Sequence, residues 1–233
     1  MSIRIKNWKL AILSLAFISL FASLGKWQLS RAHEKKMLLK SFAERTAHPP
    51  RSAVDINQPQ DWRFYRATLQ GHFDNAHTML LDNKIHAGKV GYEVYTPFIA
   101  DQLQEPILID RGFIPIIKNR VETPEIRAVE GNVAIMGMLN LPPKYFSLGQ
   151  INESVKITWP MKIEYVNLAE LSQLLNFHLY PYVMSLDPKS PYVFAMEWQV
   201  VTMNPEKNVG YAVQWFALAA TLLILSVALN LKR

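Results

Sequence analysis

The stretch VGYAVQWFALAATLLILSVALNL, residues 209–231, carries no charge over 23 positions. A helix rises about 1.5 Å per residue, so roughly 20 apolar residues cross a hydrocarbon core of ~30 Å. This stretch therefore reads as a transmembrane helix. Toward the other end, Leu10 to Gly25 are 16 uncharged residues, or roughly 24 Å of helix. Flanking groups lengthen that span to residues 10–29. Trp8 and Trp27 suit the two interfaces, and Lys9 and Lys26 can snorkel with their stems against lipid. A cleaved secretory signal has a similar layout, but Ala22-Ser23-Leu24-Gly25 is a poor small-x-small cleavage site. The reading is a retained anchor.

The charge distribution follows from this frame. The chain has 233 residues and a formal net charge of +6. Arg4, Lys6, Lys9, Lys232 and Arg233 sit at the ends, leaving 20 Lys and Arg against 19 Asp and Glu between them. No basic face for nucleic acid is expected. The cationic tails, residues 1–9 and 232–233, are assigned to the cytoplasm by the positive-inside rule, which puts the intervening domain in the periplasm or its equivalent. Lys35, Lys36 and Lys40 beside the first span run against that orientation. With 50% hydrophobic and 19% charged residues the chain is not disordered. Cysteine is absent, which excludes disulfides, thiolate nucleophiles, iron–sulfur clusters and covalent c-type haem.

Residues 30–50 read as a helical extension and linker ended by Pro49-Pro50, and residues 51–207 as an extramembrane β-rich domain. Strands are predicted at Arg63–Asp74, Thr78–Ile85, Val90–Ala100, Pro106–Ile117, Asn132–Leu141, Tyr182–Leu186 and Tyr192–Thr202. His86-Ala87-Gly88-Lys89 forms a hairpin turn, and Asn167 with Glu170 starts the helix LAELSQLLNF. The fold class is two transmembrane helices flanking a mainly antiparallel β (α+β) domain, a sheet or partial barrel with one helix.

His72, His77 and His86 are close in sequence but lack any metal-ligand spacing, and no catalytic motif is present. Asp110-Arg111-Gly112 reads as an ion pair at a strand end. The spans offer more. Trp27 and Gln28 stand at the outer end of the first helix, with Gln214 and Trp215 near one depth on the second. A primary amide facing lipid is costly, so Gln214 is expected to meet a partner helix, another protein or a polar ligand edge. Tyr211 and Trp215, at i and i+4, share a face with Gln214 adjacent. Such a surface either packs helix on helix or holds a planar amphiphile whose acids reach Arg31 or Lys26. Membrane lipid is a partner in both cases.

Taken in order, Leu24-Gly25-x-Trp27-Gln28-Leu29-x-Arg31, Tyr65-Arg66 with Gly71 and Phe73, Leu80-Leu81-Asp82-Asn83, Gly91-Tyr92-Glu93-Val94 with Pro97, Ile109-Asp110-Arg111-Gly112-Phe113-Ile114-Pro115 and Gly210-Tyr211-Ala212-Val213-Gln214-Trp215-Phe216 make a specific set. The chain resembles the surfeit locus protein 1 family of cytochrome c oxidase assembly factors, as a bacterial inner-membrane member without an Arg- and Ser-rich transit segment. The resemblance implies a non-enzymatic chaperone of respiratory chain biogenesis. It would assist delivery or insertion of haem a into subunit I of a haem-copper terminal oxidase, binding haem a transiently and meeting haem a synthase. The alternative is a membrane-anchored scaffold that organises oxidase assembly without binding haem. Where the family commonly has a histidine proposed as a haem contact, this sequence has Asn208, and a carboxamide is not an axial iron ligand. His178 and Met203 are the nearest alternatives by chemistry. Phe113 stands where the family often has Trp.

Overall fold

A computed structural model describes residues 8–116, 124–143, 158–198, 201 and 203–230. Of the tails expected at 1–9 and 232–233, residues 1–7 and 232–233 lie outside them, and Trp8 and Lys9 already belong to the first helix. The described residues fall into two compact units, one within 1–42 and 199–233, the other within 43–198.

The first unit is helical. Helix α1, Trp8–Ala47, runs unbroken for 40 residues and stops before Pro49-Pro50, its last five residues counted with the second unit. Helix α4, Pro205–Asn230, opens on a proline, which the first helical position tolerates because its N–H has no intrahelical partner. Both are long and apolar enough to cross a membrane.

The second unit is built on a barrel. Strand β1, Arg66–Phe73, pairs with β5, Val133–Asn140, which pairs with β7, Val183–Leu186; β7 lies parallel to β4, Ile107–Pro115, and β4 pairs with β3, Lys89–Ala100. The ring closes where Gly71, His72 and Phe73 of β1 pair with the end of β3. Renumbered in order of appearance, the five strands run 1-2-3-5-4 and return to 1, with a single parallel contact between the third and fifth. This is a Greek-key barrel of the OB type. Closure requires a glycine, since a Cβ on Gly71 would lie 2.0 Å from the Ile99 carbonyl oxygen. The first half of β3 carries β2, Met79–His86, and β6, Met161–Ile163, lies parallel at the edge of β2.

Alternation sets the faces. Along β1, Ala67, Leu69 and Phe73 point into the barrel and Thr68, Gln70 and His72 outward. They meet Phe98, Ile107, Ile109, Ile135, Leu139 and Leu186 in the interior core. Strand β4 is buried on both faces: Leu108 joins a second core with Met79, Tyr95, Val183 and helix α3, Leu168–Leu175. Asn167 caps α3 by accepting from the Ala169 and Glu170 amides, and Leu171 and Leu175 seat it. Full burial of a leucine contributes about 1.5–3 kcal/mol.

Most expected strands lie within a few residues of their predicted bounds. The hairpin turn holds positive φ at Ala87 and Gly88. Strand β1 starts later than expected, because Tyr65 N donates to the Trp62 carbonyl in a turn through Phe64. The strand expected at Tyr192–Thr202 is not one: only an isolated bridge, Ala195 to Phe113, is present, with residues 199, 200 and 202 outside the described set. Strand β7 already covers β4 from Leu108 to Asp110, leaving a short edge for this segment. Helix α2, Ala53–Ile56, and β6 are additions too short to show a period.

Candidate functional site

In the helical unit α1 and α4 meet along a seam. Phe21 stacks on Trp215, with centroids 5.7 Å apart at 29°. Gly25 admits Phe216, whose ring would stand 2.8 Å from an added Cβ. Further along, buried Asn208 in the first turn of α4 donates from Nδ2 to Gln28 Oε1 at 2.6 Å and accepts at Oδ1 from Lys35 Nζ at 2.7 Å. Both ends of the carboxamide are thus engaged, as a shielded polar group requires. Gln28 and Lys35 lie seven residues apart, two turns on one face, and bracket Asn208.

The other expected residues divide. Trp215 is half-buried on Phe21. Trp27 and Tyr211 are exposed. Arg31 forms an exposed ion pair with Glu34 at 2.6 Å, and Lys26 is exposed too. Gln214 does not face the partner helix. Asn208, Ala212, Trp215 and Ala219 of α4, spaced 4, 3 and 4, are buried or half-buried, with Phe216 beside Trp215 reaching Gly25, whereas Gln214 is exposed and outside that stripe. Gln28 is bonded to Asn208, not matched with Gln214. Lys35, read from sequence only as a charge against the orientation, and Phe21, which the sequence reading does not single out, belong to the seam; their signal is the heptad-like series 21, 28, 35.

In the barrel unit Asp110 and Arg111 form no ion pair, because successive strand residues point to opposite faces. Asp110 accepts from Gly112 N at 2.9 Å and Ser185 Oγ at 3.0 Å. Burial, and then the nearby Glu93 carboxylate, push its pKa up to about 7. Tyr95, opposite Asp110 on β3, donates to Glu93 Oε2 at 3.3 Å, and Lys84 pairs with Glu93 at 3.0 Å. Arg111 is 1% exposed, between the rings of Phe73 and Phe194 at 5.3 and 5.0 Å. It donates from Nη2 to the Arg127 carbonyl and from Nε to the Tyr192 carbonyl, while Nη1 is buried without a partner among the described residues. Burial, then Arg127, lowers its pKa to about 10, so it stays charged at neutral pH. This cation ties three segments together at one end of the barrel.

His77 Nδ1 lies 2.6 Å from Asp74 Oδ2 with its ring edge-on to Trp159, His86 packs on Phe113, and His72 faces outward. Among the described residues no three ligand-type side chains converge on a metal position. His178 is exposed in the barrel unit and Met203 in the helical unit.

A model of the SURF1 family matches residues 15–220. The chain is 27% identical over 229 residues to the SURF1-like protein of Rickettsia prowazekii, covering 94% of this chain and 88% of that one. It is 24% identical over 235 residues to Surfeit locus protein 1 of Xenopus tropicalis, covering 92% and 72%. The cytochrome oxidase assembly protein SHY1 of Saccharomyces cerevisiae is 32% identical over 94 residues, a match covering 39% of this chain and 24% of SHY1.

Proposed function

The chain belongs to the SURF1 family, and from that premise we propose that it acts, without catalysis, in the assembly of a haem-copper terminal oxidase. Its step is assistance in delivering or inserting haem a into subunit I, with haem a synthase as a further partner. It resides in a bacterial inner membrane, spanning it twice, with both termini cytoplasmic and the barrel domain periplasmic. The observation that carries the reading is the family match across residues 15–220, together with two helices of spanning length.

A resident haem iron does not fit at Asn208. A carboxamide is a poor iron ligand, and both of its ends are hydrogen-bonded to Gln28 and Lys35. The hairpin assists without an axial ligand from this position. The same observation favours a second reading, a scaffold that organises oxidase assembly and never holds haem.

Purification from a haem a-producing host, with oxidised and reduced spectra and pigment extraction, separates the two. Stoichiometric haem a that falls in Trp215→Ala supports haem handling, and a colourless protein that co-purifies with the oxidase supports the scaffold. Trp215→Ala is expected to lower the haem a content of the oxidase while this protein's abundance holds. Equal loss of both would reduce Trp215 to a packing residue.

A further inference from the structure

Within the barrel unit the chain segments at 45–51 and 61–66 are brought together, where Arg51 N donates to the Arg66 carbonyl and Thr68 N to the Arg51 carbonyl. Their side chains gather around one ring. Arg45 and Arg51 lie over Tyr65 at 5.4 and 5.5 Å, His48 stacks on it at 5.7 Å, and Trp62 meets it edge-on at 5.6 Å. Arg63 lies over Phe64 at 4.6 Å, and Arg66 donates to the His48 carbonyl.

The charges do not cancel. Asp61 takes Arg45 at 2.7 Å, and Asp55 is occupied in the capping box of Ser52. Arg51 and Arg63 form no side-chain hydrogen bond or ion pair among the described residues. Their Nε atoms are shielded and unpartnered, but their Nη ends are not buried. In a chain whose interior is otherwise balanced, at 20 cations to 19 acids between the end clusters, this is a local excess of guanidinium held flat on aromatic rings. Beside Arg51 opens a cleft of about 340 Å³ of mixed lining, with Ser52, Thr68 and Gln70 beside Ala53 and Leu69; its one acid is Asp101.

We propose that the arginine strip of Arg45, Arg51, Arg63 and Arg66 is a docking surface for an acidic, carboxylate-bearing segment of a partner protein. Guanidinium forks match carboxylates in a fixed plane, and the rings remove the entropy cost of aiming them. Arg45 and Arg51 are held on Tyr65, Arg63 on Phe64 and Arg66 at the His48 carbonyl, a spread along the chain rather than the convergence on one point that a phosphate cradle would need. Tyr, Trp and Arg are also the residues that dominate protein interfaces. The inference stands apart from haem handling, since it concerns the barrel unit and a peptide probe alone.

The test uses the full chain in detergent and a fluorescently labelled peptide of alternating Glu and Gly, read by anisotropy. The Glu peptide is expected to bind at low salt and to weaken by about tenfold in Arg51→Gln/Arg63→Gln, equivalent to about 1.4 kcal/mol. Arg51→Lys/Arg63→Lys should fall between the wild type and the neutral double variant, since the charge stays but the planar fork held on the rings is lost, and salt at about 0.3 M should mimic the neutral double variant on the wild type. Since neither side chain has a hydrogen bond or ion pair to lose, an unchanged unfolding temperature identifies a binding defect. Equal binding of a Gln-Gly peptide would overturn the proposal, as would an unaffected neutral double variant. Displacement by short-chain phosphatidylglycerol at lower concentration than by free glutamate would overturn it in favour of a lipid-headgroup site.

Discussion

The helical hairpin and the barrel handle close approach in different ways. In the hairpin, Gly25 makes room for the tip of a side chain, the Phe216 ring. In the barrel, Gly71 makes room for backbone, the Ile99 carbonyl, at 2.0 Å from where a Cβ would sit. A ring tip can rotate away, but a strand carbonyl held in a ladder cannot. Gly71→Val should therefore cost more than about 4 kcal/mol, in the range reserved for strained or overpacked sites, and yield little folded protein. Gly25→Ala should cost about 1 kcal/mol. Comparing the two by thermal unfolding in the same detergent breaks the contrast if the losses are equal.

Polar burial differs too. Asn208 in the hairpin is neutral and satisfied at both ends, whereas Asp110 in the barrel is buried beside Glu93 with its pKa raised to about 7. Folded protein thus holds the Asp110 proton at pH values where the unfolded chain, at an ordinary 3.8, has released it. The stabilisation linked to this carboxyl is complete below pH 4 and is lost as pH rises through 7. The rise from 3.8 to about 7 sets an upper bound of about 4 kcal/mol; relaxation around Lys84 reduces the expected effect to about 1–2 kcal/mol. Asp110→Asn keeps an acceptor for Gly112 N and places an amide toward Ser185. It should match wild type near pH 4 and exceed it in unfolding temperature at pH 8. A difference independent of pH would show that Asp110 is ionised throughout.

Legibility followed the same division. The second span was plain because 23 uncharged residues admit no other element, and β1 to β5 were visible as short runs rich in β-branched, aliphatic and aromatic residues between turn signals, alternating in β1 and buried on both faces in β4. The segment after Tyr192 alternates as well, yet it finds only a short free edge on β4, a fact of topology that no local pattern carries. Barrel closure was equally hidden, since it depends on which strands β3 meets at its two ends. Gln28 and Asn208 were visible as single residues of interest, but their pairing was not, because it depends on helix rotation. Gln214 drew attention as the polar residue within the span and turned out to lie off the seam. Lys35 looked like an orientation charge and proved to be a contact. The arginine strip needed the Arg51–Ala67 bridge to bring its two halves together.

The smallest effect sharpens the hairpin side of the comparison. Asn208→Leu deletes both hydrogen bonds at once, leaving the Gln28 amide and the Lys35 ammonium without a partner in α4. Interhelical hydrogen bonds in membranes average well under the strength expected from a dry medium, about 0.6 kcal/mol each, so the loss should be about 1 kcal/mol in SDS titration of the hairpin. Lys35→Met alone should cost less, because Gln28 still accepts from Asn208. Asn208→His replaces the carboxamide by an imidazole, whose nitrogens can serve only one of the two neighbours well. It should fall between the other two in stability, yet it is the one substitution expected to add an iron ligand. A rise in bound haem a in Asn208→His, measured by pigment extraction against wild type, would mean that this amide holds the helices together at a position where a histidine would hold haem. No rise would mean that the seam geometry, and not the identity of residue 208, decides whether an iron ligand can act at this position.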